Sequence, residues 1–66
     1  MSVETDRVRV VLELTDGEAW AFAQFLKRSR FEDYRGRAAS MEEAYAMIAA
    51  CEAIRQALAE VGYAPR

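Results

Sequence analysis

Residues 7–14 read Arg-Val-Arg-Val-Val-Leu-Glu-Leu, and their alternation is the tightest constraint on what this chain can fold into. Val8, Val10, Leu12 and Leu14 fall on one side, with Arg7, Arg9, Val11 and Glu13 on the other. Period-two patterning of this kind predicts a strand with one face on a core. A strand must also place its backbone groups: alone it leaves half of them unpaired, and even a two-stranded hairpin is marginal. No other segment has strand character. "MSVET" lacks a turn that could fold it back onto residues 7–14, and "YAPR" is short and contains proline. The pattern therefore predicts pairing with the same strand of a second copy, antiparallel across a two-fold axis. An axis at Val10 sets Arg7 opposite Glu13, and an axis at Val11 sets Arg9 opposite Glu13. Each such pair is worth about 0.2–1 kcal/mol. The alternative is an exposed strand on a monomeric helical hairpin.

Size favours the dimer. The chain has 66 residues, expected to form one domain over residues 1–66. A chain this short buries only about 60% of its unfolded surface. Small domains usually add disulfides, a metal or a second subunit. Cys51 is the sole cysteine and there is no histidine, which excludes an intrachain disulfide and a Cys/His zinc site. No metal and no cofactor are expected. The start "MSVETDRV" lacks the apolar stretch of a signal peptide, and the longest apolar run, "AYAMIAAC", is far short of a membrane span. The expectation is a cytoplasmic protein with no membrane contact.

The rest of the chain reads as helix. Thr15 and Glu18 have capping-box spacing, which starts a helix at Asp16 that runs to about Ser29. Its apolar centre is Ala19, Phe22, Ala23 and Leu26, with Trp20 and Phe25 on the two shoulders. That arc exceeds the roughly 100° a surface helix needs, so the helix should touch a second helix and something else. Residues 30–39 form a connection with Phe31 and Tyr34 and room for one helical turn. Ser40 and Glu43 repeat the capping signal and open a long helix over 41–61. Its apolar stripe is Ala44, Met47, Ile48, Cys51, Ile54, Leu58 and Val61, and its outer side carries Glu42, Glu52, Gln56 and Glu60. Gly62 fits the left-handed position after the helix, Tyr63 can fold back on Leu58, and Pro65 blocks continuation. The expected class is α+β and mostly helical, in the order β-α-α. The dimer strand is carried by Val8, Val10, Leu12 and Glu13.

The residues offer no catalytic set. Without histidine there is no Ser-His or Cys-His pair. Cys51 lies on an apolar stripe and behaves there as a small hydrophobe. Glu32–Asp33 and Glu42–Glu43 are sequence neighbours, which do not share a helix face. No glycine-rich phosphate loop is present. The expectation is a protein that is not an enzyme.

The formal charge of −2 is unevenly spread, with Lys27, Arg28, Arg30, Arg35 and Arg37 all inside "KRSRFEDYRGR". Arginines interleaved with Phe31 and Tyr34 could hold phosphates and stack bases. They could equally cap the first helix, with Glu32–Arg35 and Asp33–Arg37 as local ion pairs and both aromatics in the core.

Two resemblances bear on function. A strand leading into two helices and paired across a dimer resembles the ribbon-helix-helix repressors. That resemblance implies Arg7, Arg9 and Val11 entering a DNA groove and a phosphate contact at Ser40; the basic cluster separately offers Arg28, Arg30, Arg35 and Arg37 as candidate nucleic-acid contacts. The longer segments "LTDGEAWAFAQFLKR", "DYR", "EAY" and "ALAEVGYAPR" resemble a family of small uncharacterised bacterial proteins carried on mobile elements. As a class, such proteins resemble inhibitors of host defence, including anti-CRISPR proteins that dock on nucleoprotein complexes. The resemblance implies a host protein or nucleoprotein complex as partner, met by Glu42, Glu52, Gln56 and Glu60.

Overall fold

The computed structural model describes residues 6–65, which form three helices and, among the described residues, no strand. α1 spans Asp16–Arg28, α2 Phe31–Arg37 and α3 Met41–Glu60. The class is therefore all-α, and the expected β-α-α order is corrected. Residues 6–15 carry no regular secondary structure. The face expected to be buried stays open, with Val8, Val10 and Leu12 at 87%, 70% and 61% exposure. The reason is the one that made the segment conspicuous. A strand is stabilised only by a neighbour's backbone groups, and the described residues supply no neighbour. The inability of "MSVET" to fold back concerns residues 1–5, which lie outside the described residues.

The helix starts follow the sequence. The Thr15 hydroxyl accepts the Glu18 N–H at 3.1 Å while the Glu18 carboxylate accepts the Thr15 N–H at 2.9 Å, so the first capping box is complete. At α3 the Ser40 hydroxyl accepts the Glu43 N–H at 3.1 Å. Glu43 reaches past the cap, to the Ala39 N–H at 2.6 Å. α2 starts at Arg30, which has no side-chain acceptor to offer; Asp33 accepts the Arg30 N–H at 2.8 Å. That contact takes Asp33 away from its expected ion pair with Arg37.

The end of α3 is a Schellman turn. Tyr63 N–H donates to the Leu58 carbonyl at 2.8 Å and Gly62 N–H to the Ala59 carbonyl at 3.0 Å. Gly62 takes the φ of 103° that this turn requires and that an L side chain resists. The turn swings Tyr63 back over the core, where its hydroxyl donates to Asp16 Oδ1 at 2.6 Å. Its ring meets Trp20 edge-on, with centroids 5.0 Å apart. One aromatic thus joins the end of α3 to the start of α1.

α1 and α2 each pack on α3. The core between α1 and α3 is Ala19, Ala23, Leu26 and Leu58, edged by Phe22, Cys51, Ile54 and Tyr63. Ala44, fully buried, lies outside that cluster, near the start of α3 where Tyr45 meets Phe31 of α2. This core is small for its chain. The radius of gyration is 13.3 Å, where a compact chain of this length gives about 11 Å.

Candidate functional site

An open groove of about 990 Å³ lies between the 8–14 segment and α3. One wall is Val8, Val10, Leu12 and Leu14; the other is formed by Ala50, Ala53, Ala57 and Val61. The alanines recur at spacings of three and four, which puts them on one face of α3. This face adjoins the core stripe, and sequence reasoning passed over it because alanine carries little hydropathy. The spacing was nonetheless legible. Glu13 is the one charged residue lining the groove among the described residues, and Tyr63, also on the lining, has its hydroxyl tied to Asp16.

The expected partner face is present as an exposed surface. Glu42, Glu52, Gln56 and Glu60 all point outward along α3. Glu52 is engaged by Arg55, whose guanidinium donates to both carboxylate oxygens at 2.8 and 3.3 Å. The hydrogen bond first, then the Arg55 charge, hold the Glu52 carboxyl below its usual range. The surface is therefore acidic at its ends, Glu42 and Glu60, and partly neutralised between them.

The basic cluster divides. Arg28 and Arg37 line a small notch between α1 and α2 with Phe25, Ser29 and Asp33. The aromatic in this notch is Phe25 of α1, 59% exposed, whereas Tyr34 is half-buried and Phe31 leans on Tyr45. Arg35 donates to the Ala38 carbonyl at 3.3 Å. Among the described residues the one ion pair is Arg55–Glu52, so the expected Glu32–Arg35 and Asp33–Arg37 pairs do not form. Arg7 and Arg9 sit on the segment that forms no strand, so among the described residues no ribbon holds them in register for a DNA groove. Cys51 is half-buried at the edge of the core, beside Tyr34. Burial, followed by neighbours that include the Cys51 thiol, raises the Tyr34 hydroxyl above its ordinary value.

A family model matches residues 1–66. The chain belongs to DUF7706, a family of unknown function. Neither a curated protein nor a solved structure matches it. Membership in DUF7706 agrees with the resemblance to an uncharacterised family, and it assigns no activity to any residue. No helix among the described residues is long and apolar enough to cross a membrane, and no group of three or more Cys, Asp or Glu among them is placed to hold a metal ion.

The Tyr63–Asp16 bond gives a titratable signature of the fold. The hydrogen bond to Asp16, then partial burial and the Asp16 charge, raise the Tyr63 hydroxyl above the usual tyrosine value. A raised tyrosine pKa means the fold favours the neutral form. The contact therefore contributes fully below the ordinary tyrosine pKa of about 10 and is lost as pH rises through the raised value. Asp16→Asn is expected to move one tyrosine to lower pH in an ultraviolet alkaline titration of the folded protein. An unchanged titration would show that the contact does not persist in solution.

Proposed function

We propose that this protein is a non-catalytic binding protein that works as a homodimer through protein–protein contact, most concretely as an inhibitor of a host nucleic-acid-handling complex. The observation that carries the reading is the distribution of its apolar surface. Five residues form the buried core, while Val8, Val10, Val11, Leu12, Phe25 and Val61 all stand more than half exposed. Large contiguous apolar exposure marks association surfaces. The outer side of α3 supports a second contact. Glu42 and Glu60 lie about 27 Å apart along the helix, a span over which carboxylates can occupy positions that phosphates take on a nucleic-acid-binding protein.

Direct nucleic-acid binding has one observation in its favour, the Phe25–Arg28–Arg37 notch, where two guanidiniums that make no ion pair among the described residues flank an exposed ring. One experiment separates the readings: affinity capture from host lysate with and without nuclease, beside a gel shift on mixed DNA. The inhibitor reading expects a protein that is retained after nuclease treatment and lost with Glu42→Lys plus Glu60→Lys. A DNA shift that weakens steeply with salt and is lost in Arg28→Ala plus Arg37→Ala, with no protein retained, would overturn it.

A further inference from the structure

We propose that the groove between residues 8–14 and α3 is the seam of this dimer, with the α3 helices packed antiparallel about a two-fold axis between Ala53 and Ile54. The inference rests on the homodimer reading above and specifies its surface. It also replaces the strand ladder: the contact is made by side chains on a helix face, and residues 8–14 form a flanking apolar wall.

Area is the first argument. The protomer exposes 5722 Å², whereas a compact folded chain of 7.5 kDa exposes about 4,200 Å². That excess, on the order of 1,500 Å², belongs to the chain as a whole, the unpacked 6–15 segment included, and it leaves room for the roughly 800 Å² per partner that a specific interface buries. A second copy fits this surface for three further reasons. An isologous interface must be complementary to itself, and the groove is apolar along both walls, so apolar surface meets apolar surface when the face is repeated across a two-fold axis. An axis between Ala53 and Ile54 sets Ala50 of one copy against Ala57 of the other, and small side chains there let the two helices approach closely. Ile54 and Val61, both on the groove, then pack beside that line of contact. Finally, a chain whose buried core holds three alanines and two leucines needs a partner whenever it is folded, and its own copy is always present.

Sedimentation of the whole protein tests the seam. The unmodified chain is expected to be a dimer at micromolar concentration. Ala57→Arg is well suited to break it, because arginine is nearly as good a helix former as alanine and position 57 is exposed in the protomer. An unpaired charge at the seam is expected to weaken the dimer about a hundredfold or more. Ala21→Arg, on an exposed position of α1 that does not line the groove, should leave the affinity within about threefold, as surface substitutions do. A second arm places cysteines at Ala50 and Ala57 with Cys51→Ala. Two turns apart on one helix, about 10 Å, they cannot bridge within a chain, so oxidation should give a covalent dimer. A dimer that tolerates Ala57→Arg and yields no covalent product would overturn the seam and leave the homodimer standing. A monomeric unmodified chain would overturn both. Loss of the captured host protein with the dimer pattern intact would leave the seam and remove the inhibitor reading.

Discussion

Leu58→Ala is expected to leave this protein mostly unfolded at room temperature. Leu58 is the one large residue that α3 buries against Ala19, Ala23 and Leu26 of α1. Truncating a buried leucine costs about 2–5 kcal/mol, from the lost transfer energy and the cavity left behind. A single core below 70–80 residues rarely supplies more than about 3–5 kcal/mol. The substitution therefore removes an amount comparable to the whole stability of the protomer. The backbone turn at the end of α3 gives no protection, because its strength depends on Tyr63 resting on the core that Leu58 fills. Loss of most of the helical circular dichroism at room temperature is the expected result. A thermal midpoint within a few degrees of the unmodified protein would mean that the α1–α3 core is not what holds the chain together.

Ala23→Leu is expected to destabilise by adding to a side chain. Leucine is close to alanine in helix propensity, so at an exposed site in α1 the change would be nearly neutral. Ala23 is 1% exposed and faces α3 inside the core cluster. Three more carbon atoms there force the helices apart or push neighbouring side chains off their rotamers, at a cost of about 1–3 kcal/mol. Ala21→Leu, on an exposed position of the same helix, serves as the comparison. Urea unfolding should separate the two variants clearly. Equal midpoints would show that α1 and α3 are not in close contact at Ala23.

Both expectations follow from a core built mostly of alanine. Alanines let helices approach but bury little surface each, so the interior gains less hydrophobic energy than the apolar content of 53% suggests. The larger apolar residues lie elsewhere, along residues 8–14 and on the shoulders of α1. The first helix was expected to touch something besides the second long helix, and among the described residues α1 makes helix contacts with α3 alone. The groove and the Phe25 notch are the two places where apolar surface remains uncovered.

The helices were legible because their signals are local. Thr15 with Glu18 and Ser40 with Glu43 fix where α1 and α3 begin, through hydrogen bonds between groups three residues apart. Gly62 and Tyr63 fix where α3 ends, and the turn bonds follow from a backbone that only glycine adopts easily. The class was misread because alternation states which face a segment would bury, not whether anything is there to cover it. A strand's hydrogen bonds come from another segment, and residues 7–14 find none among the described residues. Tertiary structure alone decided the rest. It placed Phe25 rather than Phe31 or Tyr34 beside Arg28 and Arg37, and carried Tyr63 across to Asp16, 47 positions away. Each of these depends on how two helices are set against each other, which local spacing does not encode.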